Sequence, residues 1–228
     1  MKFALIGKNI QGSGSPALFE SFSGGKHDYE LLDYPDFEPA WQAFLDGPYA
    51  GINVTAPFKE KAFENCLALS PDARAAGAVN LVLKDGLRGF NTDVYGIRSS
   101  VAQAGITPSE VLVVGTGGAA RAALAAYRGL RMSVIGRNPS KVAALTAEFG
   151  LEQGFVNPDL IVYTLPGAAP VPPALPLSNA ALLEAEYKKP ALESAGCKLY
   201  ISGLRWLYYQ ALGSYGIFTS RPLEGLQG

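Results

Sequence analysis

Val111-Leu112-Val113-Val114-Gly115-Thr116-Gly117-Gly118-Ala119-Ala120-Arg121-Ala122 runs without a break from an apolar segment through a glycine turn into alanine-rich sequence. The apolar segment has the length of a buried strand, and alanine favours helix, so the pattern G-x-G-x-x-A lies where a strand gives way to a helix. In that setting Gly115 makes the turn, Gly117 lets backbone amides approach a pyrophosphate, and Ala120 permits close packing of helix on strand. Thr116, Gly118 and Ala119 complete a helix N-terminus whose free N–H groups and dipole favour phosphate. This predicts a dinucleotide-binding βα unit.

Toward the carboxyl terminus a second strand is predicted over residues 132–135, leading into Gly136-Arg137-Asn138-Pro139-Ser140-Lys141. An NAD site expects an acid there to hold the ribose hydroxyls. The chain offers Arg137 and Lys141 instead. A carboxylate repels a 2'-phosphate whereas a guanidinium binds it as a fork, so the cofactor is read as NADP(H) rather than NAD. Asn138-Pro139 caps a helix that closes at Gly150. A third strand over 159–164 ends at Thr164, another candidate on the cofactor edge. Residues 166–176 are too rich in proline for regular structure. Strands are expected over 180–185 and 198–202, and a final aromatic helix over 206–215 carries Gln210 among apolar neighbours.

Toward the amino terminus, strands over 2–7, 29–32 and 50–54 alternate with helices, one of them over 39–45. The rhythm predicts an α/β fold with a mainly parallel sheet. Ser15 is read as an N-cap with Pro16 at the first helical position. Ser13, Ser15, Asn53 and Thr55 then share the carboxyl edge, where such sheets bind ligands. Pro57 is expected to open a helix, which leaves Lys59 in its first turn, where the dipole disfavours a cation. Lys59 is either solvated or functional. A helix over 61–69 is expected to break at Ser70-Pro71. Asn80 interrupts an apolar run over 78–83, and its buried amide needs partners in its own backbone or in a ligand hydroxyl. Asp85-Gly86 marks a hairpin turn. Asp93 follows at the start of a helix over 94–104, where capping alone accounts for a carboxylate.

The bulk numbers bound the chemistry. The chain has 228 residues, 48% of them apolar, enough for one large domain or two small ones. Lys plus Arg number 19 and Asp plus Glu 20, which gives no electrostatic case for nucleic acid or an anionic membrane. The amino-terminal apolar run is too short for a signal peptide, and no stretch approaches a membrane span. Cys66 and Cys197 are isolated, which suits a reducing cytoplasm. With His27 the only histidine, no metal site is expected. No tyrosine is followed four positions later by lysine, so a Tyr-Lys reductase pair is missing.

Taken together, these segments resemble the shikimate dehydrogenase family. Ser13-Gly14-Ser15-Pro16, Asn53-Val54-Thr55-Ala56-Pro57-Phe58-Lys59, Gly77-Ala78-Val79-Asn80 and Gly89-Phe90-Asn91-Thr92-Asp93 match its motifs in order, followed by the glycine loop, Arg137 and Gln210-Ala211. The resemblance implies two α/β domains facing a cleft. Residues 1–97 with 205–228 would form the substrate domain, and residues 98–204 a Rossmann-like NADP-binding domain. It implies NADPH-dependent reduction of 3-dehydroshikimate to shikimate, in aromatic amino acid biosynthesis, by a monomer or homodimer. Lys59 and Asp93 would be the catalytic pair. Ser13, Ser15, Asn53, Thr55, Asn80 and Gln210 would hold a polyhydroxy acid, and Gly115, Thr116, Gly117, Gly118, Ala119, Arg137, Lys141 and Thr164 the cofactor. A quinate-preferring paralogue and a non-catalytic sensor are the alternatives.

The chain departs from the family pattern mainly in the cofactor half, which is also shortened. Tyr163-Thr164-Leu165-Pro166-Gly167 stands for an Asn-Ala-Thr-Pro-x-Gly segment, Glu184-Ala185-Glu186-Tyr187 for Asp-x-x-Tyr, and Trp206 for a methionine.

Overall fold

The computed structural model describes residues 1–151, 157–173 and 175–221, so residue 174 of the proline-rich loop and residues 222–228 of the expected terminal segment lie outside it. The chain divides into two compact units, Met1–Gly96 joined by the segment from Leu207, and Ile97–Trp206.

The first unit contains β1 (Lys2–Gly7), α1 (Ser15–Ser23), β2 (Asp28–Asp33), α2 (Phe37–Asp46), β3 (Tyr49–Val54), α3 (Lys59–Asn65), β4 (Ala68–Leu69), α4 (Pro71–Ala76), β5 (Leu81–Leu83), β6 (Arg88–Phe90) and the start of α5 (Thr92–Gln103). The sheet order is β2-β1-β3-β5-β6-β4. Helical crossovers make β1, β2 and β3 parallel, whereas the turn through Gly86, at φ 68°, returns β6 antiparallel to β5. Alternation along β1 sends Phe3 to one face and Ala4 and Ile6 to the other. Against Ala4 and Ile6 pack Phe37, Trp41 and Phe44, spaced to share one stripe of α2.

The second unit contains β7 (Glu110–Val114), α6 (Gly118–Ala126), β8 (Arg131–Ile135), α7 (Pro139–Phe149), β9 (Leu160–Tyr163), β10 (Ala181–Glu184) and β11 (Leu199–Ile201); α8 (Gly203–Thr219) begins here and continues into the first unit. Its five strands are all parallel in the order β11-β10-β9-β7-β8. The chain leaves β7 first to one side and then to the other, so the glycine turn sits where the strand order reverses. Asn138 caps α7 by accepting the Lys141 N–H, and Gly150 closes it in the left-handed conformation. The buried Glu184 carboxylate accepts the N–H groups of Ala191 and Leu192 and the Tyr200 hydroxyl, which fastens the connection between β10 and β11.

Local expectations differ from the structure in three places. Ser15 is the first residue of α1, with Gly14 at the cap position and no side-chain cap. Pro57 does not open α3; the chain turns at Thr55–Phe58, closed by the Phe58 N–H on the Thr55 carbonyl at 3.0 Å, with a cis bond before Pro57, and the helix starts at Lys59. The helix expected over 61–69 stops at Asn65, because two residues are drawn into pairing with β6 before Ser70 caps α4. Among the described residues no helix is long and apolar enough to cross a membrane.

Candidate active site

In the first unit the strand ends place the polar residues side by side. Thr55 follows β3, its N–H bonded to the Ile6 carbonyl at 2.9 Å, and its methyl occupies space that a Cβ on Gly7 would need. Ser13 Oγ donates to Ser15 Oγ at 3.2 Å. Because Ser15 caps nothing, its hydroxyl is free of the helix, and it lies against Tyr29, whose phenol burial pushes well above its usual range. Tyr29 therefore stays protonated and donates to Asn53 Oδ1 at 2.8 Å.

Asn53 then spends its Nδ2 protons on the Asn80 carbonyl at 3.1 Å and Ser214 Oγ at 2.9 Å. Both Asn53 amide protons are thus spent within the protein. Asn80 binds Thr92 twice, Nδ2 to Thr92 Oγ1 at 3.0 Å and Oδ1 from the Thr92 N–H at 2.7 Å. One Nδ2 proton remains. Asn80 thus finds backbone partners and keeps a donor for a ligand.

The next residue after Thr92 completes the site. Lys59 Nζ lies 2.5 Å from Asp93 Oδ2, with the two side chains 12% and 8% exposed. A cation in a first helical turn is explained by this carboxylate rather than by solvent. Asp93 is within α5 and its N–H is taken by Asn91 Oδ1 at 3.2 Å, so Asn91 does the capping and the Asp93 carboxylate is released for Lys59. Buried ion pairs add little net stability, so this one calls for another use. Gln210, half-buried on α8, donates Nε2 to the Leu207 carbonyl at 3.0 Å. Sequence reasoning missed Tyr29, Thr92 and Ser214. Tyr29 looks like a core aromatic in its strand, and a serine in an aromatic helix carries no signal of what it will touch.

In the second unit the glycines test whether a dinucleotide fits. A Cβ on Gly115, at φ 128°, would lie 2.1 Å from Thr164 Oγ1, so the protein itself requires glycine there. Around Gly117 a Cβ would meet nothing within 4 Å. The fold itself makes no demand for glycine at 117, where the backbone is extended. Gly117 also precedes α6, whose end has no side-chain cap, leaving its first N–H groups for an anion. Thr164 Oγ1 donates to the Val114 carbonyl at 2.9 Å, bracing the turn. Arg137 and Lys141 are exposed just past β8, and a cavity of about 300 Å³ lies beside Arg137, walled by Ile135, Gly136, Pro170, Val171, Pro172 and Pro173. These residues fit a phosphorylated dinucleotide.

Known proteins match both units. A family model described as the shikimate dehydrogenase substrate binding domain covers residues 5–82. The NADP(+) shikimate dehydrogenase of one Thermus thermophilus strain is 34% identical over 208 residues, spanning 82% of this chain and 79% of that protein. The crystal structure of shikimate 5-dehydrogenase from another strain of Thermus thermophilus, in complex with NADP(H) and shikimate, superposes with a TM-score of 0.83 at 30% identity, covering 99% of this chain and 97% of the other. Shikimate dehydrogenase from Thermotoga maritima gives a TM-score of 0.82 at 27% identity, covering 100% and 97%. With the Lys59–Asp93 pair on one unit and the glycine turn on the other, and with relatives matched at this length and identity, the chain belongs to the shikimate dehydrogenase family.

Proposed function

We propose that the chain reduces 3-dehydroshikimate to shikimate with NADPH, with Lys59 and Asp93 as the catalytic pair. The carrying observation is the 2.5 Å contact between those side chains in a largely water-excluded position. Ketone reduction needs a hydride at carbon, which bound NADPH supplies, and a proton at oxygen. The Lys59 ammonium both stabilises the developing alkoxide and gives up that proton, while Asp93 holds it in place. Ser13 and Ser15 offer hydroxyls for the substrate carboxylate, while the Thr55 hydroxyl and the Asn80 and Gln210 amides serve the ring hydroxyls. The second unit holds NADP(H): the N-terminus of α6, with Gly115, Thr116, Gly117, Gly118 and Ala119, takes the pyrophosphate, and Arg137 with Lys141 takes the 2'-phosphate. The cavity beside Arg137 accepts the adenosine end. Two unpaired cysteines suit a reducing cytoplasm.

The test is NADPH absorbance followed with 3-dehydroshikimate, repeated with NADH and then in reverse with quinate. Turnover with NADPH and 3-dehydroshikimate is expected. Preference for quinate moves the substrate assignment, and tight NADPH binding without turnover on any pair replaces the enzyme with a sensor.

A further inference from the structure

The Lys59–Asp93 reading leaves the buried Ser214 unused. Ser214 lies on α8, one turn beyond Gln210, and is 1% exposed. Its Oγ accepts from Asn53 Nδ2 at 2.9 Å and shares a proton with Thr92 Oγ1, also at 2.9 Å. These two partners belong to different segments. Asn53 sits at the end of β3, from which the chain runs to Lys59; Thr92 directly precedes Asp93. A single hydroxyl from the far end of the sequence therefore joins the two segments that deliver the ammonium and the carboxylate. Residue 213 is glycine where the helix passes Thr92: a Cβ there would make a tight contact with the Tyr95 ring, at 3.2 Å, and an ordinary one with Thr92 Cβ, at 3.5 Å.

We infer that Ser214 is a positioning residue for the Lys59–Asp93 pair, acting through Asn53 and Thr92. Without its oxygen, one Asn53 proton is left buried and unbonded, and Thr92 loses the partner that fixes it from the α8 side. Asp93 then rides on a helix start that keeps its Asn91 and Asn80 contacts but has lost its tie to α8. Buried polar networks of this kind fix geometry more than they add affinity, so the effect falls on the chemical step rather than on substrate capture.

The inference rests on the proposed function for its kinetic readout, but a second readout does not. In Ser214→Ala, kcat for 3-dehydroshikimate reduction is expected to fall at least tenfold with KM within about threefold. Independently of any substrate, acylation of Lys59 by an amine reagent, followed by mass spectrometry on the intact folded chain, is expected to run several-fold faster than in the wild type. Lys84 is the control, because its Nζ is held by the Gly47 and Phe44 carbonyls at 2.7 and 3.3 Å, away from this network. Equal acceleration at Lys84 means general loosening and overturns the inference, as does a Lys59 rate equal to wild type. An inactive wild type with selective Lys59 acceleration sinks the proposed function and leaves the positioning intact. Should Ser214→Ala fail to fold, Ser214→Cys keeps side-chain shape while weakening both hydrogen bonds, and the same outcomes decide.

Discussion

Lys59 and Asp93, 34 residues apart in sequence, meet at 2.5 Å with the lysine on the first turn of one helix and the aspartate on the first turn of another. The pair is held by backbone geometry at both ends, so its chemistry can be separated from its contribution to folding. Lys59→Arg keeps the charge and the carboxylate's partner but misplaces the proton. It is expected to fold normally and to lose about 10²–10⁴-fold in kcat, the range for removing a general acid, with KM for substrate changed only a few-fold. Lys59→Ala should show the same kinetic loss plus a lowered Tm, because it strands a buried carboxylate. An active Lys59→Arg enzyme removes the mechanism.

The two turn glycines should separate stability from binding. Gly115→Ala forces a side chain into φ 128° and onto Thr164, so a drop in thermal stability is expected. The Cβ of Gly117→Ala meets open space, so Tm should hold while NADPH affinity, measured by calorimetry, falls at least tenfold. Equal NADPH affinity in Gly117→Ala would contradict the pyrophosphate assignment.

Arg137→Ala tests cofactor choice. Hydrogen bonds to a charged partner are worth roughly 1.5–3 kcal/mol, or about 10- to 150-fold, so the Kd for NADPH should rise by that factor while the Kd for NADH stays within about twofold. A parallel loss for both cofactors means the guanidinium does not read the 2'-phosphate.

The framework asparagine should matter for stability first. Asn53→Ala leaves Tyr29, Ser214 and the Asn80 carbonyl without their shared partner, at a cost of about 2–4 kcal/mol in chemical denaturation. A loss below about 1 kcal/mol would mean that water fills the gap.

Thiol chemistry gives a pH-dependent check. Burial pushes the Cys66 thiol up to about 12. Being raised above the value of an unfolded thiol, this group adds stability that is present below that value and fades as pH climbs toward 12. At about pH 8, alkylation of Cys66 in the native protein should be at least ~10²-fold slower than after denaturation, and slower than at Cys197. Rapid native labelling would show that the thiol is not held out of water.

The βα rhythm was legible because parallel strands buried on both faces read as continuous apolar runs, as Val111 to Val114 does. The sites carried by local patterns were legible for a similar reason: the glycine turn, the Asn138 cap and the Asp85-Gly86 hairpin are each decided by residues adjacent in sequence. What stayed hidden was partnership at long range. Ser15 looked like a cap because Pro16 follows it, yet its hydroxyl turns to Ser13 and Tyr29, and nothing near Ser15 in the chain encodes that. Asn53 and Asn80 read alike as polar interruptions of apolar strands. Only their hydrogen-bond partners distinguish a saturated amide from one with a proton to spare.

Helix α8 closes the first unit: Phe218 fills the space above Gly51, where a Cβ would lie 2.8 Å from its ring, and with Tyr215 it packs at tilted and edge-on angles among Phe3 and Phe19. During synthesis the amino-terminal sheet therefore leaves the ribosome with one apolar face covered only in part, by Phe19 and Phe22 of α1, and it must wait for the whole of the second unit to be translated before α8 completes its cover. Ribosome-bound chains halted before residue 203 should expose that face to chaperones, although the Lys59 and Asp93 segments have both already emerged.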